Sequence, residues 1–455
     1  MSDPELDGLR RTLTDGALVV DPAVMDAYRG DVTGKAGHPL AVVRARSTED
    51  VRHTVAWCAR HGVPIVPRGA GTGLAGGASA VDHGLVLSLE HMNAIVVDPI
   101  AQTATVGAGA LNGDVKDAAL LHGLWYPPDP SSYRISTMGG NIATNAGGLC
   151  CVTYGVTRDY VLELEAVLAD GSIVRVGCRS RKDVAGLSLL HLIVGSEGTL
   201  GVVTEATVRL VRAPGPATTI AASFSSVDSA ARSVIEIRRQ AAPVLLELLD
   251  DVAIAAVEAY RPLGLAPSTR CLVLVQIDQQ SDAADTTQLL RSTGATEVLV
   301  TDDPDEGEMF IEARRLALPA AERLGALLLE DVAVPLPMLA EMCRQIDAVR
   351  RRTGLVIPVV AHAGDGNLHP MIVHDAADPV SVKSAHEAFV EIMRAAISLG
   401  GTITGEHGVG RTKRSMLPEQ LGDRVMQLTA DVKGVFDPAG ILNPGVILDP
   451  SRKAD

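Results

Sequence analysis

Three glycine-rich segments, all ending by residue 201 and each beside apolar strand sequence, constrain this chain more than any other feature. The first, Pro67-Arg68-Gly69-Ala70-Gly71-Thr72-Gly73-Leu74-Ala75-Gly76-Gly77, follows a short apolar strand at 63–67. The second runs from Thr137 to Gly148 as Thr-Met-Gly-Gly-Asn-Ile-Ala-Thr-Asn-Ala-Gly-Gly, and the third is Gly195-Ser196-Glu197-Gly198-Thr199-Leu200-Gly201. Glycine lets backbone N–H groups approach a diphosphate closely and adopts positive φ without steric cost; Arg68 can add charge. The first loop is not a Walker A sequence, because no Gly-Lys-Ser/Thr closes it. It is not a good dinucleotide fingerprint either, because no acidic residue follows a second strand at the required distance. One such loop reads equally well as a tight connection. Three of them suit a long, bent, diphosphate-containing ligand.

With 455 residues the chain exceeds what one core ordinarily supports, so two domains are expected. Apolar residues at 47% and charged residues at 21% point to packed interiors rather than disorder. The 3% aromatic content and the net charge of −15 weigh against nucleic acid and acidic membrane surfaces as main partners. The acidic start and the lack of a long apolar run there argue against a signal peptide and an integral membrane segment. A cytoplasmic protein is expected, with peripheral placement at the inner membrane face left open. The six cysteines are scattered and form no CxxC pair, so neither a zinc ribbon nor an iron–sulfur cluster is encoded. Electrons harvested by such a chain must leave through a separate acceptor.

Helical spacing of Val51, Val55 and Cys58 predicts a helix over 49–60. Strands are expected at 85–89, 103–106, 161–168 and 173–176, the last two joined by Asp170-Gly171 as a two-residue hairpin turn. After Pro214-Gly215-Pro216 glycine thins out. Strands at 217–224, 272–277, 297–301 and 357–362 then alternate with helices at 226–240, 281–292, 308–323, 335–353 and 380–399, which predicts an antiparallel α+β cap. The expected division is 1–214, 215–400 and 401–455, with the tail Ile441-Leu442-Asn443-Pro444-Gly445 rejoining the first domain.

The sharpest local pattern is His362-Ala363-Gly364-Asp365-Gly366-Asn367-Leu368-His369, fed by apolar Ile357-Pro358-Val359-Val360. Asp-Gly favours a two-residue type I′ turn, which would place His362 directly opposite His369, with Cβ atoms roughly 5 Å apart, suited to one metal ion. The alternative is a surface turn with two incidental histidines. A third ligand is needed, and Gly405-Glu406-His407-Gly408-Val409-Gly410 offers a Glu and a His.

The three glycine segments, together with Pro127-Pro128-Asp129-Pro130 and Tyr154-Gly155-Val156-Thr157-Arg158-Asp159, resemble the vanillyl-alcohol-oxidase-type FAD family. The likeness is greatest to its branch of D-lactate dehydrogenases and glycolate oxidase FAD subunits, and it spans nearly the whole chain. It implies an α+β fold: a two-subdomain FAD-binding domain, an antiparallel-sheet cap and a C-terminal return. It carries FAD contacts onto Arg68, Gly69, Ala70, Gly71, Thr72, Gly73 and Leu74, and onto Pro128 and Asp129. In the second segment it carries them onto Thr137, Gly140, Asn141, Ala143, Thr144, Asn145, Gly147 and Gly148. Glu197, Gly198, Gly201, Val202 and Asn443 complete that set. No histidine lies in the first loop, so the FAD is expected to be non-covalent; Cys150 and Cys151, near where a distant branch carries a tethering cysteine, read as core packing.

The resemblance also places Glu406 on the metal and His407 beside the flavin as the base. Two His and one carboxylate leave positions for a substrate hydroxyl and carboxylate. Zinc fits these ligands, and manganese and iron stay open. The hydroxyl proton passes to His407 and the α-hydrogen leaves as hydride to flavin N5, giving the 2-oxo acid. Phe310-Ile311-Glu312-Ala313-Arg314 aligns with a Trp-x-x-Arg segment of the family, which makes Arg314 either a grip on the substrate carboxylate or a solvated helix charge. Relatives acting on D-2-hydroxyglutarate carry Lys where this chain has Leu329, and Asn where it has Met371. Both changes replace polar groups with apolar ones, so lactate, glycolate or a 2-hydroxy acid with an apolar tail is favoured. Electrons are expected to pass to a quinone, a cytochrome, an electron-transfer flavoprotein or an iron–sulfur subunit. A D-2-hydroxyglutarate dehydrogenase, a catalytic subunit of a larger glycolate oxidase, a peroxide-forming oxidase, a flavin-free metallohydrolase and a homodimer all stay open.

Overall fold

The computed structural model describes residues 3–34, 36–180, 182–266, 268–278 and 280–449. The chain divides into two compact units: Met1–Gly147 with Val156–Ala213 and Glu406–Asp455, and Gly148–Gly155 with Pro214–Gly405. Residues 148–155 group with the second unit because Thr153 Oγ1 donates to Pro243 O at 2.8 Å and Val152 packs so closely on Gly364 that a Cβ there would lie 2.3 Å from it.

In the first unit, Ser47 starts the helix Thr48–His61 by accepting the Asp50 N–H, and Gly62 ends it at φ 63. The buried face of this helix, Val51, Val55 and Cys58, shares a core with Val43, Ile65 and Leu87 of the adjacent sheet. That sheet has the order Leu18–Val19, Ala41–Arg44, Leu85–Ser88, Ile65–Arg68; the last three strands are parallel. The first glycine loop therefore leaves the carboxyl end of Ile65–Arg68. A second, antiparallel sheet has the order Ile95–Asp98, Thr103–Gly107, Val202–Arg209, Val161–Val167, Ile173–Gly177. Its last hairpin turns in three residues, not the two expected. Leu168 and Ser172 pair, Gly171 sits at φ 82, and Asp170 Oδ1 accepts the Ser172 N–H at 2.8 Å. One glycine at positive φ satisfies the three-residue turn, whereas type I′ needs two successive residues there. Leu442 bridges Ile65 in parallel, and Ile441 and Leu442 enter the core of this unit.

The second unit is built on an antiparallel sheet with the order Ala295–Thr301, Thr218–Phe224, Cys271–Ile277, Leu245–Asp250, Val359–His362, Asn367–His374, Ala326–Leu329; Val332–Ala333 also pairs with Asn367–His374. On one face, Leu245, Leu249, Leu272, Leu274, Val360 and Met371 form a core with apolar residues of the helices Asp251–Tyr260 and Pro304–Glu322. Fully burying each such aliphatic side chain contributes about 1.5–3 kcal/mol. Residues 401–405 stay with this unit: Thr402 pairs with Ala333, and Gly405 N donates to Asp331 O at 3.2 Å. No helix among the described residues is long and apolar enough to cross a membrane.

Candidate active site

A cleft of about 1270 Å³, its open mouth included, lies within the first unit. Residues 67–75 line it along one side, with segments from 136–147 and 193–203, and Glu406, His407 and Asn443 complete its wall. Several glycines are demanded by close approach. A Cβ at Gly69 would lie 2.1 Å from Thr137 Oγ1, and one at Gly139 2.7 Å from the Ala108 Cβ. At Gly147 a Cβ would lie 2.5 Å from Glu406 Oε2. Arg68 is folded under its own loop: Nη1 donates to Ala78 O at 3.0 Å, and burial lowers its pKa.

Glu197, at φ 52, aims its carboxylate at the segment that follows His407, accepting the Val409 and Gly410 N–H groups at 2.8 Å each. Burial pushes its carboxyl up to about 7, against the pull of those two N–H groups and of Lys413 and Arg411. Asn443 Nδ2 donates to Gly77 O and Glu197 O at 2.9 and 2.7 Å, so the returning tail ties the first and third glycine loops together. Most residues expected at a cofactor line this cleft, but Pro128, Asp129, Asn145 and Gly148 do not. Pro128 O instead accepts from Asn112 Nδ2, while Pro130, Ser131 and Ser132 supply the wall. Asn145 caps the helix Met138–Thr144 at φ 53 and accepts the Arg158 N–H, and Gly148 belongs to the second unit. Cys150 and Cys151 are half-buried thiols in that same unit rather than core residues.

The histidine hairpin lies within the second unit, and its register differs from the expected one. Val360 pairs with His369, and His362 with Asn367, across a four-residue connection in which Ala363–Asp365 form a 3-10 turn and Gly366 takes φ 71. The Asp-Gly pair closes a longer loop because only its glycine is left-handed. His362 and His369 are consequently diagonal neighbours rather than direct partners. The shift is an even number of residues, so both imidazoles stay on one sheet face, with ring centroids 5.0 Å apart and planes at 83°.

Each imidazole is backed by a buried carboxylate. Glu247, from Leu245–Asp250, holds His362 Nδ1 at 2.7 Å through Oε1 and accepts from Arg314 Nε at 2.7 Å through Oε2. Burial raises the Glu247 pKa, but the charges of His362 and Arg314 and their hydrogen bonds outweigh it, so the net shift is downward. Asp331 Oδ1 lies 3.6 Å from His369 Nδ1 and accepts from Asn367 Nδ2 at 2.8 Å; its Oδ2 accepts from Thr404 Oγ1 at 2.7 Å. With Nδ1 hydrogen-bonded to Glu247, Nε2 is the nitrogen His362 can offer to a cation, whereas His369 Nδ1 lies beyond hydrogen-bond distance of Asp331. Arg314 is not a solvated helix charge: its side chain is 15% exposed and paired to the buried Glu247. Its Nη groups are the part that can grip a carboxylate. Leu329 pairs with Met371, two residues beyond His369, so both apolar side chains occupy the sheet face that carries the imidazoles.

Residues 213–447 match the family model described as FAD linked oxidases, C-terminal domain, and residues 39–177 match that of an FAD binding domain. The chain belongs to the FAD-linked oxidase family, of the vanillyl-alcohol-oxidase type. It is 42% identical to glycolate oxidase subunit GlcD of Bacillus subtilis, over 90% of this chain and 88% of the relative. To the D-lactate dehydrogenase of Archaeoglobus fulgidus it is 36% identical, over 93% and 96%. Its fold is shared with substrate-bound p-cresol methylhydroxylase, with a TM-score of 0.82 at 17% identity over 100% and 99% of the two chains. This FAD-linked oxidase is therefore an FAD-dependent oxidoreductase of α+β fold. The cleft fits that cofactor, since Gly69, Gly71, Gly73, Gly139 and Gly140 line it with backbone free of side chains, which a diphosphate can approach closely.

Proposed function

We propose that this protein oxidises a small D-2-hydroxy acid of the lactate or glycolate class to its 2-oxo acid, aided by a divalent cation, zinc fitting best. The observation that carries this reading is the pair of imidazoles on one sheet face, with His362 Nδ1 hydrogen-bonded to the buried Glu247 and His369 Nδ1 3.6 Å from the buried Asp331. That donor set supports a cation site over an incidental surface turn. Glu406 follows Gly405, which the Asp331 carbonyl holds, and it supplies the third ligand. When bound, the cation acidifies the substrate hydroxyl and the flavin takes up two electrons. His407 accepts the hydroxyl proton. Arg314 holds the carboxylate, and Leu329 and Met371 favour a short or apolar tail over a second carboxylate.

Both relatives bear names of hydroxy-acid enzymes, and one is named as a subunit. Electrons accordingly pass to an external acceptor: a quinone, a cytochrome, an electron-transfer flavoprotein or an iron–sulfur subunit. Anaerobic mixing of the purified holoprotein with D- and L-2-hydroxy acids, while the visible flavin band is followed, tests the reading without knowledge of that acceptor. Bleaching by D-lactate or glycolate is expected. Bleaching only by L-acids, or by none of the panel, overturns it.

A further inference from the structure

We infer that Glu247 is the positioning residue that sets both the tautomer of His362 and the placement of Arg314, so that one carboxylate couples the hydroxyl and carboxylate ends of the substrate site. The inference rests on the proposed cation at His362 and extends it to a residue outside the ligand set. Glu247 is wholly buried between two pairs of leucines in the strand Leu245-Leu246-Glu247-Leu248-Leu249-Asp250, whose only other polar residue is the terminal Asp250. Leu248 pairs with Ala361 and Leu249 with Val360, so the ladder sets Glu247 opposite His362. Its two oxygens are divided, Oε1 to His362 Nδ1 and Oε2 to Arg314 Nε, each at 2.7 Å.

An ionised carboxylate can only accept hydrogen bonds. Arg314 Nε–H is a permanent donor. Neutral His362, the form that binds a cation, must therefore carry its one proton on Nδ1 and present the Nε2 lone pair outward. The same carboxylate fixes the plane of the Arg314 guanidinium through Nε and leaves the Nη edge for a substrate anion. In Glu247→Gln the amide oxygen can still accept from Arg314, but the NH2 group then faces His362 Nδ1. The imidazole must become an acceptor there, and its proton moves to Nε2, the nitrogen needed for ligation. The opposite amide orientation sets NH2 against the Arg314 Nε–H.

The test compares wild-type holoprotein with Glu247→Gln by titrating Zn²⁺ against a chromophoric chelator and by steady-state kinetics with D-lactate and a dye acceptor. Zn²⁺ affinity is expected to fall by about ten- to a hundredfold. KM for D-lactate is expected to rise together with a loss of kcat, while FAD content stays that of wild type. Equal Zn²⁺ affinity and equal KM in the two proteins overturn the inference and leave the proposed function standing. A wild-type protein that takes up no divalent cation overturns both. Should the variant fail to fold, nitrogen NMR of histidine-labelled wild type decides. The His362 signal, assigned by its loss in His362→Gln, is expected in the Nδ1–H tautomer, and an Nε2–H tautomer overturns the inference.

Discussion

Single atoms decide much of this site. His407 lines the cleft of the FAD-binding unit, where it can take the substrate proton. General-base removal typically costs about 10²- to 10⁴-fold. His407→Ala is therefore expected to slow anaerobic flavin bleaching by at least about a hundredfold while FAD stays bound; bleaching at the wild-type rate would show that the base lies elsewhere. Gly147 makes a second case. The Cβ of Gly147→Ala would come within 2.5 Å of Glu406 Oε2 and 3.1 Å of Glu406 Cβ, so the carboxylate has to move. Zn²⁺ retention by Gly147→Ala should drop roughly tenfold or more with the flavin spectrum unchanged; full retention would remove Glu406 from the ligand set. The proposed ligands can be read from the chain because His, Glu and glycine stand at telling positions. Glu247 was not, although a lone acid inside five apolar residues is a signal: an ion there is tolerated only with partners, and the partners lie 67 and 115 residues away.

At the level of elements, hydrophobic periodicity located the helices Thr48–His61, Val227–Gln240 and Pro379–Ser398 and about half of the strands to within a few residues, but not Ala41–Arg44, Val202–Arg209 or Ala326–Leu329. It missed Leu245–Asp250 because a strand buried on both faces shows no alternation, and Leu/Glu-rich sequence looks helical. The two hairpin turns failed for a common reason. A dipeptide gives a local preference, but register follows from which residues take positive φ and from the strands that must pair beyond them. Same-face placement of the imidazoles survived because an even shift preserves the side of the sheet. That parity also joins Leu329, Met371 and His369 on one face. Replacing the first two together, Leu329→Lys with Met371→Asn, introduces a cation and an amide beside the site. A charge-assisted hydrogen bond contributes about 1.5–3 kcal/mol. The ratio of kcat/KM for D-2-hydroxyglutarate to that for D-lactate is expected to rise by about ten- to a hundredfold. An unchanged ratio would mean that this strand pair does not meet the substrate tail.

For the molecule as a whole, the FAD-binding unit is assembled from three separated stretches of chain, and Glu197 sits where they are joined. Its carboxylate accepts from Val409 and Gly410, and its carbonyl accepts from Asn443, which also reaches Gly77. This junction carries a titration, because burial lifts the Glu197 carboxyl from 4.5 to about 7. The unfolded chain loses that proton near pH 4.5 and the folded chain only near pH 7. Between these values the folded state binds more protons, so stability falls as pH rises. The contribution is fully present below pH 4.5 and is gone above about pH 7, a span worth roughly 3 kcal/mol. Glutamine has the shape of the protonated acid and does not titrate. Thermal or urea unfolding of wild type and Glu197→Gln, with FAD saturating, should therefore give a stability difference that changes across this window, the variant gaining on wild type as pH rises. Curves that stay parallel from pH 4.5 to 7 would mean that Glu197 is already ionised in the folded protein, and that its two backbone N–H donors outweigh its burial.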